Sequence, residues 1–285
     1  MNLVIIGDTA KDINIFKGRK TNEESNKDVI MINNGGACYY SAVGASVFGK
    51  CGVVTKIGQD FDIDNYSSLG VDITGIKRIK GNTTRFFQTF LSADGQEREF
   101  RAKRNSDSKV YFEDIPKSYL TNAEYILVST TLPENQLQLI QAIRKSSNAK
   151  IAVDTLKEFA NEEVTREVFD SVDIAFIDRE FEKLLNTKAK IKIIKYGKTG
   201  CLYIDGKKTI AQKNSVIIPD KEVVDKTGAG DILTGAFLTL LSSTKNPQIA
   251  LKKANELATE SITEYGVEHL GKKYVKRNEG IELWL

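Results

Sequence analysis

Histidine is almost missing from this chain: His269 stands alone among 285 residues. Serine–histidine relays, histidine metal clusters and imidazole acid–base chemistry are therefore disfavoured, which leaves carboxylates and backbone amides to do any chemistry. Cysteine is scarce as well. Cys38, Cys51 and Cys201 are odd in number and far apart, without the paired spacing of a zinc site or a redox loop, so they are expected to be reduced and buried. No apolar run approaches the length of a membrane span, and Met1–Gly7 reads as a strand without the basic lead-in of a secretion signal. A cytoplasmic enzyme is expected. Charge of one sign is also lacking: 41 Lys+Arg face 38 Asp+Glu for a net of +3, and the basic residues are scattered, which argues against nucleic acid or a membrane surface as partner. Two nucleotide motifs are absent too. Gly197-Lys198-Thr199-Gly200 looks like the end of a Walker A loop, but Lys192 stands where the first glycine belongs, and strand-like Cys201–Ile204 follows instead of a helix. No Gly-x-Gly-x-x-Gly follows the first strand, which lowers the case for a dinucleotide enzyme.

What is present is a regular alternation. Strand-like Tyr125–Ser129, Lys150–Asp154 and Asp173–Ile177 alternate with helical patterns at about 134–145, 161–169 and 180–185, the signature of a parallel sheet covered by helices. Each of these strands hands over to a polar residue, Thr130, Asp154 and Asp178, and all three should open onto one crevice. Two stretches break the alternation. Ile13–Phe16 with Val29–Ile32, and Thr83–Leu91 with Arg98–Arg101 across the turn Ala93-Asp94-Gly95-Gln96, read as β-ribbons. Segments of about 13–33 and 82–102 are expected to form a small sheet beside the crevice, placed to act as a lid or as a dimer surface. Asn33-Asn34-Gly35-Gly36 leads into a helix from about Ala37 to Phe48. Pro247 opens a last long helix that Gly266 should close, and Trp284 should anchor the tail.

One stretch concentrates the chemistry. Asp225-Lys226-Thr227-Gly228-Ala229-Gly230-Asp231 stands before an amphipathic helix whose apolar face carries Ile232, Leu233, Ala236, Phe237, Leu240 and Leu241. The small residues admit a ligand to the backbone, and the free N–H groups of the first helical turn form an anion site. Asp231 at its edge reads either as a base accepting a proton from a hydroxyl or as a plain helix cap.

Taken together, Gly35-Gly36 opening an early helix, Gly58-x-Asp60, Asp94-Gly95-x-x-Arg98 and the Asp225–Asp231 stretch resemble the ribokinase-like (PfkB) family of carbohydrate kinases over about residues 3–266. The resemblance implies a single three-layer α/β/α domain, Rossmann-like, over 1–285 with a small β lid. It implies transfer of the ATP γ-phosphate to a hydroxyl of a small sugar or polyol, with Mg2+ arriving with ATP. By position, Asp231 would be the base, and the Gly228, Ala229 and Gly230 amides the anion hole. Asp12, Gly35 and Gly36 would contact the acceptor, with Tyr40 on the following helix and Arg85 or Arg98 reaching in from the lid. Asp225 and Thr227 match a monovalent-cation (K+) position in some relatives. Lys195, Gly197, Gly200 and Asn255 fall where relatives contact the nucleotide, and a homodimer through the lid is implied as a partner. Two places depart from the family pattern. Ala37 and Tyr40 replace a lysine and an asparagine found in many sugar kinases, and this region looks more like the archaeal inositol kinase branch. An Asn-x-x-Glu used in organising magnesium is altered, with Asp178 in the first place and Phe181 in the last, so that Asp178 with Glu180 or Asp154 would have to serve. A nucleoside kinase, favoured if Tyr39 and Tyr40 face the cleft, and a non-catalytic member of the fold are the alternatives.

Overall fold

The strands that read as continuously apolar all enter one sheet buried on both faces. The computed structural model describes every residue except 22–24, 92–97, 159–160, 207, 213–217, 220–221 and 276–285. From the N-terminus run β1 (Leu3–Ile6), β2 (Ala10–Thr21), β3 (Ser25–Gly35), α1 (Ala37–Ser46), β4 (Cys51–Ile57), α2 (Asp64–Ser67), β5 (Asp72–Arg78), β6 (Thr84–Phe90) and β7 (Arg98–Lys103). The second half holds α3 (Lys117–Asn122), β8 (Tyr125–Val128), α4 (Pro133–Ser146), β9 (Lys150–Asp154), α5 (Glu162–Asp170), β10 (Ile174–Asp178), β11 (Ile191–Lys195), β12 (Cys201–Asp205) and β13 (Lys208–Gln212). It closes with α6 (Ala229–Thr244), α7 (Pro247–Ser261) and α8 (Glu268–Leu270).

The large sheet has the order β13-β12-β11-β10-β9-β8-β1-β4-β5. Neighbours from β5 to β11 are parallel, and β12 and β13 are added antiparallel. Because side chains alternate across a strand, Leu3 and Ile5 pack with α1, α6 and α7 on one face. Val4 and Ile6 pack with α3, α4 and α5 on the other. The result is the expected three layers. On the first face, α1 and α6 meet backbone to backbone. A Cβ at Gly235 would overlap the Ser41 carbonyl, and one at Gly44 would overlap that of Ile232. This contact fixes the middle and end of α1 against the first half of α6.

The two ribbon stretches form a separate four-stranded sheet, order β3-β2-β6-β7. β2 pairs with β6 in parallel, and the two outer pairings are antiparallel. Residues opposite each other in a ladder share a face. The register therefore groups Asp12, Asn14 and Phe16 of β2 with Phe86, Gln88 and Phe90 of β6, and with Phe100 and Arg98 of β7. This row faces inward, with Asp12 and Asn14 fully buried and Phe16 stacked on Phe90 at 4.8 Å. The opposite row carries Ile13, Ile15, Ile30, Ile32 and Phe87, and Ile30 and Ile32 are 62% and 68% exposed.

Several local expectations change. Residues Arg179–Leu184 form a 3-10 segment with a kink at Phe181, too tight for the expected α-helix. α7 stops at Ser261. There the chain leaves the helix because the Ile262 carbonyl accepts the N–H groups of Val224 and Asp225, and Gly266 instead forms a turn at φ 69°. The Asp94-Gly95 turn and the Trp284 anchor lie outside the described residues. All three cysteines are free and buried, as expected. Among the described residues no helix is long and apolar enough to cross a membrane.

Candidate active site

The carboxyl ends of the parallel strands and the inward row of the small sheet enclose a cleft of about 200 Å³. Thr130, Asp154 and Asp178 open onto it together, which is what parallel strand order demands. The first turn of α6 forms its floor. Gly228 is the helix N-cap, at φ 79°, and no side chain caps the turn. Asp231 is therefore not the cap. By position, the N–H groups of Gly230 and Asp231 have no intrahelical partner, whereas the Ala229 N–H closes a turn onto the Lys226 carbonyl at 3.3 Å.

Tyr40 explains the glycine at 228. Its ring lies directly against Gly228, so a Cβ there would overlap the ring, and the positive φ adds strain for any other residue. The Tyr40 hydroxyl donates to Asp12 Oδ2 at 2.7 Å. Asp12 Oδ1 is buried and has no hydrogen-bond partner. Burial pushes the Asp12 carboxyl up to about 7, against the opposing effect of the Tyr40 hydrogen bond. Gly35 packs on that carboxylate, and Gly36, at φ 84°, starts α1. Tyr39 points away, into a ring cluster with Phe61 and Tyr66.

A buried charge cluster underlies α6. Lys195 Nζ donates to both oxygens of Asp154 at 2.8 Å and lies 3.1 Å from Asp178 Oδ1. Asp154 also accepts from the Thr155 N–H at 2.9 Å and the Thr234 hydroxyl at 2.7 Å. Burial alone would lower the Lys195 pKa, but the two carboxylates raise it, so the ammonium stays charged. A Cβ on Gly230 would sit 3.3 Å from the Lys195 nitrogen. Asp231 faces this cluster, and no described residue hydrogen-bonds its carboxylate. Burial, then repulsion from Asp154, pushes Asp231 up to about 8, with Lys195 opposing.

Beside it, Asp225 is buried and accepts the Thr227 N–H at 2.9 Å, the Gly266 N–H at 3.3 Å and Asn14 Nδ2 at 3.4 Å. Asn14 Nδ2 also donates to Thr227 Oγ1 at 3.1 Å.

Of the residues expected from sequence, Asp12, Gly36, Tyr40, Asp178, Lys195, Thr227, Gly228, Gly230 and Asp231 line the cleft, with Gly35 and Asp225 directly behind. Others do not. Arg85 lies on the outward row and approaches Asp60 at 3.4 Å, while Arg98, on the inward row, lines the cleft. Glu180 is exposed, 3.9 Å from Lys157. Asn255 is buried in α7, where its side chain accepts from the Cys201 thiol, and Gly197 and Gly200 form a 3-10 turn beyond Lys195; none of the three is a cleft wall. Sequence reasoning missed Phe86, Gln88, Phe100 and Lys226, which also line the cleft. The alternation of β6 held a signal for the first two, but only the pairing of Asp12 with Phe86 says which row faces in.

The acidic residues do not make a protein-held magnesium site. Asp154 is saturated, Asp178 is engaged by Lys195, and the described residues contain no group of three His, Cys, Asp or Glu able to hold a metal. The altered magnesium motif and the lysine are thus one feature: an ammonium occupies the space between the two strand-end carboxylates.

The chain matches the pfkB family carbohydrate kinase description over residues 1–272. A cytidine kinase of Thermococcus kodakarensis is 29% identical over 290 residues, covering 93% of this chain and 98% of that protein. The fold is that of ribokinase from Thermotoga maritima, with a TM-score of 0.72 at 21% identity over 97% of this chain and all of that one. It is also that of Burkholderia thailandensis nucleoside kinase, solved with inosine, with a TM-score of 0.78 at 13% identity over 97% of each chain. None of these is an inositol kinase, so the expected link to that branch has no support here.

Proposed function

Starting from the fact that this chain belongs to the pfkB family of carbohydrate kinases, we propose that it transfers the γ-phosphate of ATP to a ribose hydroxyl of a nucleoside. The observation that carries this reading is the wall of the cleft. Phe86 and Phe100 lie 5.5 Å apart on the inward row beside Gln88 and Arg98, their rings tilted by 41°, an apolar wall edged by polar groups against which a base can pack. The cytidine kinase of Thermococcus kodakarensis supports it.

In this reading Asp12 Oδ1, which lacks a partner, accepts a hydrogen bond from the acceptor, and the bond from Tyr40 holds its carboxylate in place. Asp231 takes the proton of the attacking hydroxyl, and the first-turn amides of α6 stabilise the charge on the transferring phosphoryl group. Magnesium enters as part of the Mg·ATP substrate and neutralises phosphate charge. The small sheet acts as the lid that keeps water from competing with the acceptor. Asp225, which accepts from three N–H donors, holds the entry to α6 in place. The apolar outward row of the small sheet suits pairing with a second copy of the chain.

A sugar or polyol acceptor is the second reading, favoured by the small cleft volume of about 200 Å³. ADP release measured across nucleosides, pentoses, hexoses and polyols separates the two. Turnover with nucleosides well above free sugars is expected. Turnover confined to free sugars or polyols would overturn the nucleoside reading, and ATP binding without turnover on any acceptor would point to a non-catalytic member of the fold.

A further inference from the structure

β2 is joined to the loop before α6 by a residue that takes no part in the mechanism above. Asn14 stands on the inward row of that strand, two residues past Asp12, and is fully buried. Unlike Asp12, it does not line the cleft. Its Nδ2 donates to Thr227 Oγ1 at 3.1 Å and to Asp225 Oδ2 at 3.4 Å, and its Oδ1 accepts from Gln88 Nε2 at 3.3 Å. Gln88 Oε1 accepts in turn from Arg98 Nη1 at 2.8 Å. Arg98, Gln88 and Thr227 all line the cleft. A chain of hydrogen bonds thus runs from the wall of the small sheet, through Asn14, to the residue before Gly228.

The chain has one direction. An arginine can only donate, and the Asp225 carboxylate, which already takes the N–H groups of Thr227 and Gly266, can only accept. Both amides between them therefore have a single orientation, and turning either one would set donor against donor or acceptor against acceptor in a buried place. The same strand grips the loop a second time. Asp12 accepts from the Tyr40 hydroxyl at 2.7 Å, and the Tyr40 ring lies against Gly228. Asn14 thus holds the loop at Asp225 and Thr227, and Asp12 with Tyr40 holds it at Gly228. The first turn of α6 and Asp231 follow directly, so their place relative to the small sheet is set by these two grips.

We propose that Asn14 is a positioning residue of the transfer reaction: it ties the small sheet to the Asp225–Gly228 loop, so that the acceptor hydroxyl held at Asp12 meets the phosphoryl group held by α6. A misplacement of about 1 Å between reacting groups costs about 10²-fold in rate even when each partner still binds. Water needs no such registration. With the loop out of register, water takes the phosphoryl group instead, and ATP and water give ADP and inorganic phosphate. The inference rests on phosphoryl transfer at Asp231 in the reading above and is independent of whether the acceptor is a nucleoside or a sugar.

The experiment compares wild type with Asn14→Leu, which keeps the volume and removes both hydrogen-bonding ends, on the best acceptor from the ADP-release screen. Phosphorylated acceptor and inorganic phosphate are counted separately, and rates are expressed per folded molecule. Affinities for the acceptor and for a non-hydrolysable ATP analogue are measured by calorimetry. In Asn14→Leu, kcat should fall about tenfold to a hundredfold with both affinities within about threefold of wild type, and the ratio of phosphate to phosphorylated acceptor should rise at least about threefold. Adding Gln88→Leu should lower kcat little further, because the chain is already cut; losses that multiply would overturn the relay. A melting temperature that falls while kcat and the product ratio hold would make Asn14 a structural residue only and overturn the proposal. A loss of rate accounted for by weaker ATP or acceptor binding would overturn it too. If Asn14→Leu does not fold, Asn14→Ser, too short to reach both Gln88 and Thr227, is judged by the same readouts. Wild type active on sugars and on no nucleoside would overturn the nucleoside reading alone, the same comparison then being made with the sugar, and wild type that phosphorylates no acceptor would overturn both.

Discussion

Replacing Asp231 with asparagine tests the centre of the mechanism, and the structure sets the numbers. The Asp231 carboxyl is raised to about 8 by burial and by Asp154. A base must be ionised to accept a proton. With a folded-state pKa near 8, about a tenth of the molecules are competent at pH 7 and about nine-tenths at pH 9. In wild type kcat/KM should therefore climb roughly fivefold to tenfold between those values, because this ratio reports the free enzyme's ionisations. Asp231→Asn keeps the volume and removes the base, so activity should drop by about 10²- to 10⁴-fold and the rise with pH should vanish. ATP binding should change little, since the first-turn amides of α6 are kept. The assay is steady-state ADP release from pH 6 to 9.5 with calorimetric ATP affinity in parallel. A variant keeping more than about a tenth of wild-type kcat/KM, or a wild-type profile flat over this range, would refute the assignment of Asp231 as base.

Three further outcomes follow from the same geometry. Lys195→Met leaves buried Asp154 and partly exposed Asp178 without their cation; a loss of about 3 kcal/mol is expected in chemical denaturation, partly recovered by adding Asp154→Asn. Stability equal to wild type would mean the cluster is solvated and relaxed. Gly228→Ala must displace the Tyr40 ring and adopt a positive φ, so we expect about 1–3 kcal/mol of destabilisation and a KM for the acceptor raised through Asp12, with Gly206→Ala, a positive-φ glycine with open space around it, as the strain-only control. If the two variants matched in KM, the Tyr40 contact would be irrelevant to acceptor binding. Ile30→Lys with Ile32→Lys places charge on the outward row of the small sheet. Light scattering should show a dimer converted to monomer, and a wild type that is monomeric at micromolar concentration would remove the pairing.

What the sequence revealed and what it hid divide by range of interaction. Asp225–Asp231 was legible because its signals are local: glycines, a carboxylate and the helix period lie within one short stretch. The strands of the large sheet were legible because burial on both faces makes them uniformly apolar, as at Leu3–Ile6 and Ile174–Ile177. The two lid arginines show the limit. Arg85 and Arg98 look alike in sequence, and strand periodicity puts each on one face or the other. Which face meets the cleft is set by the pairing of β2 with β6 across some 70 residues, and that pairing turns Arg85 outward and Arg98 inward. The Lys195–Asp154 pair was hidden for the same reason. Each residue ends its own strand, and only the order of strands in the sheet brings them together. The end of α7 was misplaced because Gly266 looked like a stop, while the Ile262 carbonyl had been claimed by a segment nearly forty residues earlier.

The backbone contact between α1 and α6 at Gly44 and Gly235 has a consequence for how this protein could change its diet. Two helices that touch through their main chains cannot slide or tilt to suit a new ligand, so the phosphate-handling end of the cleft is frozen along with Tyr40 and Gly228. The inward row of the small sheet is under no such constraint. Phe86, Gln88, Arg98 and Phe100 are side chains on strands whose ladder bonds run through the backbone, and they can be exchanged without disturbing it. A library confined to Phe86 and Phe100 would explore new acceptors while leaving the transfer machinery untouched, whereas Gln88 carries a hydrogen bond to Asn14 and through it to Asp225 and Thr227.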